Sequence, residues 1–277
     1  MADLLNRVGR SAFSYLAGKE GGADPGFIGS IVEVDGMQVQ VVRLLGEGGY
    51  AFIYAAKEMV TGKEFALKRF LVFEESKVKE VVQEIRLMKE VKGHDDFVKF
   101  VTAASVDHSQ GKKVNKEFLL LMELCTGGDL AQLLRKTGDS LSPGNVCVVM
   151  GCMARSLHVL HTRSTPVTHR DIKLENLLVA GDGQVKLCDL GSATTAVHSP
   201  DQDWSMNQRT MLEDELAKYS TPMYRAPEML DTWANYPVNQ VSRSLYILRT
   251  IYDIPTLYRP LISGPQDWFF TLYDCKP

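Results

Sequence analysis

Between Ile31 and Leu124 the apolar residues recur with a period of two, interrupted once by a long stretch of helical period. Ile31-Val32-Glu33-Val34, Val39-Gln40-Val41-Val42, Phe52-Ile53-Tyr54-Ala55, 64–68, 97–101 and 118–124 read as strands. Thr61-Gly62-Lys63 turns the chain between two of them. Val78, Val81, Val82, Ile85 and Met88 form an apolar stripe on a helix over 75–92. Further on, 130–136 and 145–162 are helical by periodicity, with Pro166 closing that region. The chain thus reads as a small antiparallel sheet with one long helix, followed by a helix-rich part.

Ahead of this, 3–17 has helical spacing: Asp3 can cap it, and Leu4, Val8, Ala12 and Leu16 recur every four residues. The glycine-rich stretch 19–29 reads as a linker, so 1–30 is expected to lie outside the folded lobes.

Composition narrows the function classes. In 277 residues there are 31 Lys and Arg against 34 Asp and Glu, a net charge of −3. No basic footprint for nucleic acid follows from that balance. The longest apolar runs, such as 118–122, fall short of the roughly 18 residues a membrane span requires. The five cysteines are odd in number and contain no C-x-x-C pair, and no signal peptide opens the chain. A reducing, cytoplasmic setting is the expectation.

Four features carry chemistry. Leu45-Gly46-Glu47-Gly48-Gly49-Tyr50-Ala51-Phe52-Ile53 is a glycine-rich turn between two strands. Glycines let backbone N–H groups approach a phosphate. No Gly-Lys-Ser/Thr follows, and a strand, not a helix, comes next, so neither a Walker nor a Rossmann turn fits. Such a hairpin can also be purely structural. Lys68 ends an apolar strand, where a lysine is commonly a solvated edge residue, but Glu84 on the inner side of the long helix is a candidate partner. In His169-Arg170-Asp171-Ile172-Lys173-Leu174-Glu175-Asn176, Asp171 and Asn176 are five apart and precede the apolar strand 177–179. Asp189 follows a second short strand, 185–188. A hairpin of that length brings Asp171 and Asp189 to one mouth. Magnesium takes hard oxygens from one or two carboxylates, an amide and phosphates, which Asp189 and Asn176 can supply. Asp171 is then left to accept a hydroxyl proton.

These features, in this order, resemble the protein kinase catalytic domain. The wording at 45–53, at Cys188-Asp189-Leu190-Gly191-Ser192-Ala193-Thr194-Thr195, and at Thr221-Pro222-Met223-Tyr224-Arg225-Ala226-Pro227-Glu228 is similar to the Numb-associated kinase family. The resemblance covers about 27–238. It implies an α+β, bilobal protein-kinase-like fold, with an N-terminal lobe at 31–125 and part of a helical lobe at 126–238.

By the same resemblance, 45–53 covers ATP, and Lys68 holds its α- and β-phosphates with Glu84 as anchor. Met122 matches the gatekeeper. The Glu123 and Cys125 backbones reach adenine, and Ala66 and Leu178 sandwich its ring. Asp171 is the catalytic base, Lys173 meets the γ-phosphate, Thr221 orients the base, and Asn176 with Asp189 holds Mg2+. The implied reaction is transfer of the ATP γ-phosphate to protein serine or threonine. The implied substrates are medium subunits of clathrin adaptors, at clathrin-coated membranes and the perinuclear Golgi.

Asp189 to Glu228 makes an activation segment of 40 residues. Thr210 and Glu213 form a capping-box pattern there, followed by an apolar face of Met211, Leu212, Leu216 and Tyr219. The resemblance has departures. Ala51 stands at the third glycine and Leu190 at the phenylalanine of D-F-G. Asp231-Thr232-Trp233 lacks the glycine of D-x-W-x-x-G and matches a loop after A-P-E instead. From about Val241 the likeness stops, leaving 239–277 as a divergent tail, a C-terminal lobe expected to be truncated after Glu228, and Arg259 as the guess for the partner of Glu228. A non-catalytic nucleotide- or partner-binding module is the alternative this departure raises.

Overall fold

The computed structural model describes residues 26–48, 51–109, 114–137 and 141–239. The expected helix at 3–17, Gly49, Tyr50, Arg259 and the tail from 240 lie outside the described residues. The chain divides into two compact units, one up to Thr126 and one from Gly127.

The first unit is a six-stranded antiparallel sheet in the order β1-β2-β3-β4-β6-β5. Its strands are β1 (Ile31–Val34), β2 (Met37–Glu47), β3 (Ala51–Glu58), β4 (Glu64–Val72), β5 (Phe100–Ser109) and β6 (Val114–Glu123). β1 turns into β2 at Asp35-Gly36, both at positive φ, with Val34 opposite Met37. Two left-handed residues match the twist of a tight hairpin, and the Asp-Gly pair adopts them readily. β5 starts later than the 97–101 expected from the apolar pattern. Phe97 precedes it, fully buried.

Side chains alternate across the sheet, and each face is covered differently. On one face Phe70, Val72, Phe118 and Leu120 pack with Val81 of helix α1 (Glu75–Glu90). On the other, Phe65, Leu67, Leu119 and Leu121 pack with Phe27, Val32, Val34 and Tyr54. The glycine-rich stretch read as a linker therefore contributes a core residue. Phe27 lies against the Tyr54 ring, centroids 5.0 Å apart.

The second unit holds a small sheet, β7 (Gly128–Asp129), β8 (Leu177–Val179) and β9 (Val185–Leu187), and the helices α2 (Leu130–Thr137), α3 (Pro143–His161), α4 (Met206–Tyr219) and α5 (Pro227–Leu230). Gly127 lies so close to β8 that an added Cβ would meet that of Val179 at 2.7 Å. Ser142 caps α3 by accepting from the Asn145 N–H, with Pro143 in the first turn, where its missing N–H is not needed.

The capping box of α4 is made by Ser205 and Gln208, not by Thr210 and Glu213. Ser205 Oγ accepts from the Gln208 N–H, and Gln208 Oε1 accepts from the Ser205 N–H. The helix thus begins five residues earlier than expected, and Thr210 lies within it. Leu212 and Leu216 face the core with Ala226, Met229 and Val238, whereas Met211 is 73% exposed.

Candidate active site

In the first unit, β2 and β3 run into a hairpin in which the Gly48 N–H donates to the Ala51 carbonyl at 2.8 Å. Glu47 pairs with Phe52 and Gly46 with Ile53, while Leu45 lies on the β2 side. A Cβ added at Gly46 would meet nothing within 4 Å, and one at Gly48 only the Ala51 carbonyl at 3.6 Å. Among the described residues, packing does not require glycine at either position, and a glycine backbone there allows close approach by another molecule.

Lys68, on β4, is opposite Ile53 and Leu120. Its Nζ lies 2.6 Å from Glu84 Oε1 on α1, both side chains almost fully buried. That pair fixes the ammonium in one place. Ala66 is buried on the same strand opposite Met122, itself buried on β6. The Glu123 N–H donates to the Lys99 carbonyl at 2.9 Å, so contact with a base through Glu123 falls to its carbonyl. Cys125 is buried two residues on.

In the second unit the loop after α3 carries Asp171, and its carboxylate is held from both sides. Oδ1 accepts from the Thr221 N–H at 3.0 Å and the Thr221 hydroxyl at 2.8 Å. Oδ2 lies 2.8 Å from Lys173 Nζ, which also donates to Thr221 Oγ1 at 3.1 Å. Burial pushes the Asp171 carboxyl up. The hydrogen bonds from Lys173 and Thr221, with the Lys173 charge, outweigh that and hold it below the usual Asp value. A group depressed in the folded state contributes stability above its unfolded pKa, near 3.9, and loses it as pH falls through the depressed value. The unfolding free-energy difference between wild type and Asp171→Asn should therefore be flat above about pH 5 and shrink below about pH 4. Urea titrations across that range would check it. An acidic limb of activity near pH 6 would then belong to another group.

Asn176 Nδ2 donates to the Asp171 carbonyl at 2.7 Å, which leaves Oδ1 as an acceptor. Its own carbonyl accepts from the Cys188 N–H at 2.9 Å, tying the loop to the end of β9 one residue before Asp189. Leu178 lies on β8 opposite Asp129 and Lys186. Asp189 sits at φ 59° and Arg170 at φ 66°. Residues with a Cβ enter that region at a cost, of order 1–3 kcal/mol each, and such strain collects where geometry matters. Asp189 Oδ1 accepts from the Gly191 N–H at 3.4 Å. His169, fully buried, has Nδ1 3.3 Å from the Asp171 N–H, and its other ring nitrogen lies near the Cys188 carbonyl.

The sequence matches the protein kinase domain over residues 39–243. The chain belongs to the protein kinase family. A probable serine/threonine-protein kinase of Dictyostelium discoideum is 30% identical over 216 residues, 76% of this kinase chain and 19% of the relative. The serine/threonine-protein kinase ppk30 of Schizosaccharomyces pombe is 34% identical over 206 residues, 73% of the chain and 21% of the relative. The serine/threonine-protein kinase AKL1 of Saccharomyces cerevisiae is 32% identical over 231 residues, 77% and 20% respectively. The chain spans about a fifth of the length of these relatives.

Two features of the kinase were not visible in its motifs. Arg170 Nη1 reaches Glu215 Oε1 on α4 at 2.7 Å, and its guanidinium lies 4.4 Å from the Tyr219 ring. Its Nε donates to the Ser192 carbonyl at 2.6 Å. Arg209, also on α4 and buried, donates to the carbonyls of Thr232 and Asp201 and to Asn235 Oδ1 at 3.0 Å. α4 thereby fastens both ends of the segment around it. Asp231 accepts from the N–H groups of Trp233 and Ala234 and caps a short 3-10 turn over Thr232–Ala234. Asn235 ends that turn at φ 56°, so Asp231-Thr232-Trp233 begins a loop and not a long helix.

Proposed function

We propose that the chain is a serine/threonine kinase domain of the Numb-associated type, its sequence most resembling cyclin-G-associated kinase, and that it transfers the γ-phosphate of ATP to protein hydroxyls. The observation that carries this reading is the double grip on Asp171. Its Oδ1 is aimed by Thr221 and its Oδ2 is paired with Lys173. A carboxylate held in that way can accept a hydroxyl proton while the lysine meets the transferring phosphate.

The donor set fits magnesium. Asn176 Oδ1 and the Asp189 carboxylate are hard oxygens, and nucleotide phosphates would complete the shell. The ion would neutralise charge on the phosphates. Lys68, anchored by Glu84, would orient the α- and β-phosphates, and the backbone of 45–53 would cover them. Catalysis by these residues is positioning and charge compensation, with no covalent intermediate.

The resemblance supports clathrin adaptor medium subunits as substrates, and peripheral association with clathrin-coated membranes and the perinuclear Golgi from the cytoplasmic side. Among the described residues no helix is long and apolar enough to cross a membrane. The test is transfer of labelled phosphate from Mg-ATP to an adaptor medium subunit by the 277-residue chain, beside Asp171→Asn. Transfer lost in the variant supports the kinase reading. Soluble, folded protein that binds nucleotide without transfer supports the non-catalytic module.

The Arg170–Glu215 pair bears on control. A carboxylate on α4 occupies the arginine that sits beside the base, so the helix holds the activation segment without a phosphate. Glu215→Gln keeps the size and removes the charge, and should lower kcat/KM by about 5- to 30-fold, the loss of one charge-assisted hydrogen bond. Intact-mass measurement of active enzyme should show no obligatory phosphate between Asp189 and Glu228. A stoichiometric phosphate required for activity would sink this idea.

A further inference from the structure

β4 carries Lys68 and Arg69 side by side, and alternation sends them to opposite faces of the sheet. Lys68 meets Glu84 on the face covered by α1. Arg69 Nε meets Glu117 Oε1 of β6 at 2.6 Å on the other, with side-chain exposures of 2% and 8%. A buried pair of this kind holds its place only while water is excluded and its geometry is kept. The group that closes it is Phe27, whose ring centroid lies 3.8 Å from the Arg69 guanidinium carbon. Phe27 is fixed in turn by Tyr54 and by its carbonyl, which accepts from the Ser30 hydroxyl at 2.6 Å. The next residues join the sheet: the Gly29 N–H donates to the Val41 carbonyl at 2.7 Å. Phe27 and β1 both precede residue 39, where the kinase-domain match begins.

We infer that Phe27 is a positioning residue for nucleotide binding, acting through the Arg69–Glu117 pair on Lys68. Adjacent residues of a strand share one peptide plane, which is rigid. Where entry of water into the pair shifts the β4 backbone at Arg69, the Lys68 backbone moves with it. The ring face also attracts the guanidinium directly, an interaction that grows when both groups are desolvated. The first turn of the described chain thus becomes part of the phosphate-holding apparatus. This rests on the reading of Lys68 as the residue that holds the phosphates.

The experiment measures Mg-ATP and adenosine affinity by calorimetry on the whole chain, with thermal unfolding recorded alongside. Phe27→Leu keeps an apolar side chain and loses the ring face. It should weaken Mg-ATP by roughly three- to tenfold and leave adenosine unchanged, a size typical of coupling through packed neighbours. Phe27→Tyr, which keeps the ring, should bind Mg-ATP as wild type does. Should Phe27→Leu fail to fold, Glu117→Gln weakens the same pair from its other side and should give the same selective loss. Equal changes in ATP and adenosine, or no change in either, would overturn the inference and leave Phe27 a core residue only. Lys68→Met distinguishes the underlying reading: if it leaves Mg-ATP affinity intact, the phosphate role of Lys68 falls, and this inference with it.

Discussion

Asp171→Asn should lower phosphoryl transfer by about 10²- to 10⁴-fold, the range a positioned general base supplies, with Mg-ATP affinity within a few-fold of wild type. The asparagine keeps the shape of the side chain and an oxygen that can accept from Thr221, whose hydroxyl and N–H both point at Oδ1. It cannot take up the proton of an attacking hydroxyl. It also loses the ion pair with Lys173 at 2.8 Å, so the ammonium is freed from one of its two partners. Initial rates with labelled ATP give the first quantity and calorimetry the second. A rate within threefold of wild type would remove Asp171 from the chemistry. A parallel loss of nucleotide affinity would mean that the aspartate organises the loop and does not act as a base.

Glu84→Ala should destabilise the first unit by about 3–5 kcal/mol, because it leaves the Lys68 ammonium buried without its carboxylate. Against a total margin of about 5–15 kcal/mol that is severe. The paired variant Lys68→Met with Glu84→Leu removes both charges and fills the space with apolar atoms. It should recover most of the lost stability, since a buried pair contributes little beyond what a well-packed apolar pair gives. It should not recover Mg-ATP affinity. Urea unfolding and calorimetry on the three proteins separate the two effects. A double variant that binds Mg-ATP like wild type would show that the pair holds the sheet to its helix and nothing else.

The features legible in the sequence were those set by local spacing. Period-two runs locate the strands around Lys68, and the interval from Asp171 to Asn176 places the carboxylate and the amide on one loop. Local pattern misleads where it competes with tertiary contact. Phe97 is apolar and fully buried, yet it precedes β5, because a buried loop residue and a strand residue look alike in a short apolar run. Thr210 with Glu213 has the letters of a capping box, but Ser205 with Gln208 has them too and lies where the chain is still extended. Glu213 accepts from the Thr232 hydroxyl at 2.6 Å instead. Phe27 sits among glycines that suggest a linker, and only the fold shows it over Arg69. Glu215 was equally hidden, since the arginine it pairs with lies 45 residues earlier. Long-range partners of that sort leave no periodicity to read.

The hairpin at 45–53 separates two kinds of selection. Among the described residues, nothing lies within 4 Å of a Cβ added at Gly46 and only the Ala51 carbonyl near one at Gly48, whereas Gly127 is pressed against Val179. A screen that reports only on folded protein would pass alanine at 46 and 48 and reject it at 127. A screen for a captured ligand would reject the first two. Heat, denaturant and protease would therefore miss damage at the mouth of this hairpin, and variants there would accumulate as intact, abundant and inert protein.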